Sequence, residues 1–150
     1  MTRRFTVQPI LPLASAALPF ACPVDDNRRL LLYCIRRMGA HGMHDAHAAN
    51  AMLGTFGMSY MRPLVMLRAF IAETVRTSQR RINIAGCCCP RMTLDEARLL
   101  DAIATSESDM RNAALQLRTV LGTADSLGAL GAAQAVQSAF ADLAHPLELD

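Results

Sequence analysis

Apolar residues recur three and four positions apart in segment after segment of this chain. One such segment carries Leu64, Leu67, Ile71 and Val75 in a single stripe. This spacing puts side chains on one face of an α-helix, which is how a helix buries itself against a core. The alternation typical of a strand is confined to residues 81–86, which is too short to build a sheet. The spacing therefore predicts an all-α fold.

Capping residues, glycines and prolines mark where these segments begin and end. Asp25 or Asp26 can cap a first helix, Gly39 is a natural stop, and the Thr93–Glu96 sequence fits a capping box. The resulting predicted helices cover residues 28–38, 43–56, Pro63 to about 79, 94–105, 109–121 and 127–143. Short loops between helices favour a compact antiparallel bundle or an orthogonal array of five to six helices.

The length of 150 residues suits one domain with its own core. Near the N-terminus Pro9, Pro12 and Pro19 interrupt an otherwise apolar stretch that follows basic residues. A secretory signal has a continuous apolar segment, so the prolines favour an arm lying on the domain. We expect a flexible N-terminal arm at residues 1–24 and a single helical domain at residues 25–150.

The charge and the motifs exclude several classes of function. The net charge is only +2, although every basic residue is arginine, and no aromatic residues are interleaved with the arginines, so nucleic acid is not an expected partner. No apolar run approaches the ~20 residues that span a bilayer, so no membrane association is expected. Phosphate-loop, dinucleotide and nucleophile-elbow motifs are missing, which favours a protein that is not an enzyme.

Three histidines, His41, His44 and His47, are spaced three residues apart. Residues three apart share a helical face, so two of these imidazoles can meet one transition-metal ion. The alternative is that one histidine caps or packs and the other two are solvated. The spacing alone does not choose between these interpretations.

Cys87, Cys88 and Cys89 follow one another directly. In extended chain the first and third thiols point the same way, so Cys87 and Cys89 are candidate ligands for zinc or another transition metal together with two of the histidines. A second interpretation is redox chemistry, since the thiols follow Arg80 and Arg81 and precede a helix N-terminus. A third is a packed loop of small residues. The odd number of five cysteines is a poor disulfide framework and indicates reduced thiols in the cytoplasm.

Four arginines, Arg76, Arg80, Arg81 and Arg91, surround the cysteines in sequence. Such a group can hold a phosphate or an acidic partner. The first of these also suits the C-terminal end of the third helix, where a cation complements the helix dipole.

Residues 36–50, 62–68 and 87–96, the last reading Cys-Cys-Cys-Pro-Arg-Met-Thr-Leu-Asp-Glu, resemble a small uncharacterised family of alphaproteobacterial proteins. The resemblance continues through residues 127–130, 133–136 and 140–143. It implies a bacterial cytoplasmic protein and no particular activity. Within the resemblance His44 is not kept, which favours His41 and His47 as the histidine ligands.

Three functions follow from these patterns. The first is a helical accessory or binding protein that ligates a transition metal through His41, His47, Cys87 and Cys89. The second is a redox enzyme or sensor that uses one loop cysteine. The third is an interaction module with no bound ligand, whose arm at residues 1–24 docks on a protein partner or which forms a homodimer.

Overall fold

A computed structural model describes residues 5–7 and 18–148 of the chain. Six α-helices lie in these residues, and a 3₁₀ turn at Gly57–Ser59 joins the second to the third. The helices are α1 (Asp26–His41), α2 (Ala46–Phe56), α3 (Met61–Thr77), α4 (Leu94–Thr105), α5 (Met110–Leu121) and α6 (Leu127–Asp142). The all-α prediction is confirmed.

The N-terminal end of α1 is as predicted, but its C-terminal end is not. Asp25 accepts a hydrogen bond from the Arg28 amide and caps the helix. Gly39, predicted as the stop, lies inside α1, and the helix ends at Gly42, whose φ of 101° suits glycine. A methyl group at Gly39 would meet the Phe5 side chain at 3.4 Å, which is an ordinary van der Waals contact.

Two other helices begin later than predicted, because in each an aspartate caps the first turn. α2 begins at Ala46 rather than at residue 43, because the Asp45 carboxylate accepts from the Ala48 amide. α5 begins at Met110 rather than at residue 109, because Asp109 is the cap and accepts from the Asn112 amide. The capping box between Thr93 and Glu96 is present at the start of α4, as predicted.

Four short strands form two separate pairs. β1 (Phe5–Val7) runs parallel to β3 (Ile82–Ile84), and β2 (Phe20–Ala21) runs antiparallel to β4 (Arg91–Met92). Most of the predicted N-terminal arm, residues 1–4 and 8–17, lies outside the described residues, and its flexibility stays a prediction. The two pieces that are described, residues 5–7 and 18–24, include β1 and β2.

The core lies between the helices. α3 packs most extensively on α6 and α4 on α5, and Phe70 and Phe140 are fully buried among aliphatic side chains. None of the described helices combines the length and the apolar character needed to cross a bilayer. The segment between β3 and β4, which holds the three cysteines, is left at the surface of this core.

Candidate functional site: the cysteine turn and two adjacent arginines

Residues 86–89 form a tight β-turn, here called the cysteine turn. The Cys89 amide donates to the Gly86 carbonyl at 3.1 Å, so Cys87 and Cys88 occupy the two central positions. Cys88 is exposed, Cys87 is half-buried and Cys89 is buried. The turn therefore presents two adjacent thiols to solvent and turns the third inward.

Arg36 and Glu96 hold the cysteine turn in place from below. Arg36 Nε lies 2.8 Å from Glu96 Oε1 and Arg36 Nη2 lies 3.0 Å from Oε2, and both side chains are almost completely buried. Arg36 also donates to the carbonyls of Cys89 and Arg91 at 2.7 and 2.8 Å. Burial acts to lower the pKa of Arg36, but the hydrogen bonds and charge of Glu96 outweigh it, so the pKa is raised and Arg36 stays charged.

Each oxygen of the Glu96 carboxylate accepts two hydrogen bonds. Besides Arg36, Oε1 accepts from the Ala85 amide at 2.9 Å and Oε2 accepts from the Thr93 amide at 2.9 Å. The same carboxylate thus caps α4, fixes the end of β3 and neutralises Arg36. Glu96 therefore has a structural role in the sequence motif.

The other polar residues of the motif also make structural contacts. Asp95 pairs with Arg80 at 3.0 Å and accepts from the Asn83 amide at 2.8 Å. The Thr93 hydroxyl donates to the Asn83 carbonyl. Arg91 donates to the carbonyls of residues 18 and 19, which lie beside β2.

Arg37, the residue after Arg36, faces a different part of the turn. Its Nε and Nη2 donate to the Asp45 carboxylate at 3.1 and 2.9 Å. The hydrogen bond to Asp45 is the main cause that raises the pKa of Arg37; burial opposes the rise, while the Asp45 charge and the nearby Cys87 side chain add to it. Arg37 therefore supports the cap of α2 through Asp45.

Asp45 is held as a carboxylate by the same contacts. The hydrogen bonds from Arg37 lower the pKa of Asp45 to about 2, against burial and with help from the Ala48 amide. The Asp45 side chain is 6% exposed and that of Arg37 18%. This ion pair is more accessible to water than the Arg36–Glu96 pair and far less so than a pair on the open surface.

Cys34 and Cys22 differ from the two outward thiols. Cys34 is buried and donates to the Ala48 carbonyl, and burial, helped by the Asp45 charge, raises the pKa of its thiol to about 12. A thiol that stays protonated is a poor nucleophile. Cys22 is half-buried, and its thiol lies 3.7 Å from the Cys89 carbonyl.

The three histidines are all exposed, with His41 at the end of α1, His44 in the following turn and His47 in the first turn of α2. Among the described residues, no group of three or more His, Cys, Asp or Glu side chains is arranged to hold a metal ion. Metal ligation by His41, His47, Cys87 and Cys89 stays a prediction. Metal analysis of the protein purified under reducing conditions tests it directly.

The four arginines predicted to bind an anion or a partner do not share one environment. Arg80 and Arg91 are engaged as described above, whereas Arg76 pairs with Glu73 on the surface of α3. Arg81 is exposed. Anion or partner binding by these residues stays a prediction.

Two further surface features lie away from the cysteine turn. A pocket of about 1060 Å³ opens between the C-terminal ends of α1 and α3, with Met38, Ile71 and Val75 among its apolar lining and His41 at its edge. Several large apolar side chains are exposed where α2 meets α3, namely Leu53, Met58, Met61 and Val65. Partner binding and a homodimer stay predictions.

Sequence reasoning missed the roles of Arg36, Arg37 and Asp45. A signal for Arg36 was present, since it follows the buried Leu32 by four residues and therefore lies on the core face of α1. Asp45 could have been found as a cap, three residues before Ala48. The buried pair of Arg36 and Glu96 joins residues 60 positions apart and has no local signature.

Comparison with known proteins gives a family but no activity. No curated protein and no solved structure matches the chain. A family model matches residues 13–141, which include all six described helices almost completely. The chain therefore belongs to DUF6628, a family of unknown function.

Proposed function

We propose that this protein is a helical accessory protein that responds to oxidants through the thiols of Cys87 and Cys88. One observation carries the proposal: the polar side chains of the cysteine motif make hydrogen bonds within the fold, whereas Cys88 is exposed and Cys87 is only half-buried. A rigid support beneath exposed groups is typical of sites that act on an external partner.

The chemistry requires an acceptor of electrons, for which we propose a low-molecular-weight disulfide. The thiolate of one turn cysteine attacks a sulfur of the disulfide, a mixed disulfide forms, and the other half leaves as a thiolate. The adjacent cysteine then attacks the protein sulfur of the mixed disulfide and expels the second thiolate. The two protein thiols lose two electrons, and the disulfide gains them as two thiols.

The interpretation as a redox sensor is favoured over an enzyme because the turn stands at the surface. A residue that only reports the redox state of its surroundings needs an accessible thiol beside a positive group. Cys88 is exposed and meets the first condition, and Cys87 is half-buried and near enough to Arg37 to contribute to the raised pKa of that arginine.

The test is oxidation of the reduced protein with oxidised glutathione, followed by mass spectrometry of each cysteine-containing peptide. We expect mixed disulfides or a Cys87–Cys88 disulfide in the turn. Cys34 is the internal control and should stay reduced, since its thiol is buried. If Cys87 and Cys88 stay reduced while an unstructured peptide of residues 82–91 is oxidised, the proposal is wrong.

A further inference from the structure

The pocket between the C-terminal ends of α1 and α3, here called the α1–α3 pocket, has a volume of about 1060 Å³. This volume is at the upper end of the range for sites that bind small molecules. Phe5, Met38 and Ile71 line the pocket and also belong to the hydrophobic core, where each is at most 9% exposed. The pocket therefore reaches down to the core.

The walls of the α1–α3 pocket are apolar and accessible to water. Ala72 and Val75 on α3 are half-buried, and Met43, which follows α1, is 37% exposed. A hydrocarbon chain in the pocket would remove these side chains from water, and that burial favours binding. The walls therefore suit the apolar part of a ligand.

The charged groups of the pocket are basic. Among the lining residues that the structure describes, Arg76 and His41 are the titratable ones, and none is acidic. Each lies in the last turn of its helix, where a cation complements the negative end of the helix dipole. The same two side chains are placed to meet an anionic group at the edge of the pocket.

Glu73 pairs with Arg76 but is also held by other groups. Arg76 Nε and Nη2 donate to the Glu73 carboxylate, and the charge of Asp125 acts on Arg76 as well. A Cβ atom at Gly128 would collide with Glu73 Oε1, so this carboxylate lies against the first turn of α6, where the helix dipole is positive.

Arg76 keeps a donor for a ligand because Glu73 uses only one edge of its guanidinium. The Thr77 hydroxyl adds a third hydrogen bond to the Glu73 carboxylate at 3.3 Å, so Arg76 is not its sole partner. Nη1 of Arg76 has no hydrogen-bond partner among the described residues. A carboxylate is the group that an arginine binds most strongly through such a donor.

We propose that the α1–α3 pocket binds a small amphipathic acid. Its hydrocarbon chain packs on Ala72 and Val75, and its carboxylate accepts from Nη1 of Arg76 at the edge that also holds His41. The inference does not rest on the redox response, since the described lining of the pocket shares no residue with the cysteine turn.

The experiment is isothermal titration of the reduced protein with decanoate, decanol and decylamine. These three ligands share one hydrocarbon chain, and at neutral pH their head groups are negative, neutral and positive. We expect one decanoate per chain, with decanol about three- to tenfold weaker and decylamine at least about tenfold weaker. The inference is overturned if decanoate does not bind, or if decylamine binds as tightly as decanoate.

The R76Q variant tests the head group. It should weaken decanoate by about three- to tenfold and change decanol by less than about twofold, because only the acid uses the guanidinium. Equal weakening of both ligands would show that Arg76 merely supports the pocket, and an unchanged affinity for decanoate would show that it does not bind the acid. The matched control is R29Q, which removes an exposed arginine from α1 and should change neither affinity.

The A72W variant tests the position of the hydrocarbon chain by filling the pocket from α3. It should weaken both decanoate and decanol by at least about tenfold, since the indole occupies the volume that the chain needs. The control is A141W, which places the same side chain at an exposed position on α6 and should leave both affinities unchanged. If A72W binds decanoate as the wild type does, the acid binds elsewhere and the inference is wrong. R76Q, at an exposed residue, keeps the test decisive should A72W not fold.

Discussion

Arg36 and Arg37 are neighbours in sequence but serve two different regions of the molecule. Arg36 points into the core, where its side chain is 3% exposed and Glu96 is 0% exposed. Arg37 lies at the edge of the core beside Asp45 and Cys87, and its side chain is 18% exposed. Successive residues on a helix are turned by about 100°, which is enough to direct Arg36 to the support of the cysteine turn and Arg37 to the cap of α2.

The difference in burial predicts how much stability is lost when one partner of each ion pair is removed. A buried charge that loses its partner is not solvated by water, so removal of the partner strongly destabilises the fold. A charge at the edge of the core can turn towards solvent, so the loss of its partner costs less. The predictions below use this contrast, from the largest effect to the smallest.

The largest effect is expected for E96Q. The change keeps the shape of Glu96 but removes its charge, so Arg36 stays charged and buried with two backbone carbonyls and a neutral amide oxygen as its acceptors. We expect a loss of about 3–5 kcal/mol in the free energy of unfolding, which lowers Tm by roughly 10–15 °C in a chain of this length. Thermal unfolding followed by circular dichroism measures this.

The control for E96Q is E73Q, which removes the carboxylate of an ion pair on the surface of α3. Its expected cost is below about 1 kcal/mol, since exposed pairs contribute little. Equal losses for E96Q and E73Q would show that the buried pair does not stabilise the fold as argued.

The second effect concerns Asp45 and compares two aspartate caps. D45A removes both the cap of α2 and the partner of Arg37, and we expect a cost of about 1.5–2 kcal/mol, near the upper end for helix caps. D109A removes a cap on α5 that has no arginine partner among the described contacts, and should cost about 0.5–1 kcal/mol. Urea denaturation of both variants checks the order, and a larger loss for D109A would contradict it.

The third effect is a dependence of stability on pH. The pKa of Asp45 is lowered from 3.8 to about 2 in the folded chain, so folding favours the carboxylate form. Its contribution is complete above the unfolded pKa and is lost as the pH falls through the folded value. The difference in unfolding free energy between the wild type and D45N should be constant above about pH 5 and shrink towards pH 2.

The sign of this prediction is fixed by the lowered pKa. A difference that grows on acidification, or one that vanishes already near neutral pH, would contradict the pairing of Asp45 with Arg37. D109N provides the matched control at the other capped helix.

Much of the fold was predictable because it depends on local signals. Apolar spacing located the helices, and the Thr93–Glu96 capping box located the start of α4 to the residue. The errors arose where the sequence offers more than one boundary. Gly39 was predicted as the stop because glycine is common there, but α1 continues to Gly42, whose φ of 101° ends it.

The candidate site was less predictable because contacts between residues far apart in sequence shape it. The sequence singled out Cys87 and Cys89 as a pair, since alternate residues of an extended segment point the same way. The chain instead makes a β-turn, which turns Cys89 inward and leaves Cys87 and Cys88 outward. The turn depends on Arg36 and Glu96, which are 60 residues apart, and no local pattern reveals that contact.

The smallest effect is expected for R29A, which completes the series of arginines along α1. Arg29 Nη1 lies 3.7 Å from Asp26 Oδ1, and the two side chains are 63% and 95% exposed. Water screens such a pair almost completely, so we expect a loss of at most about 0.3 kcal/mol. In 1 M salt even this difference should disappear, whereas the cost of E96Q should persist, because buried charges are screened far less than exposed ones. If R29A and E96Q proved equally sensitive to salt, burial would not be what separates the ion pair of Arg36 from that of Arg29.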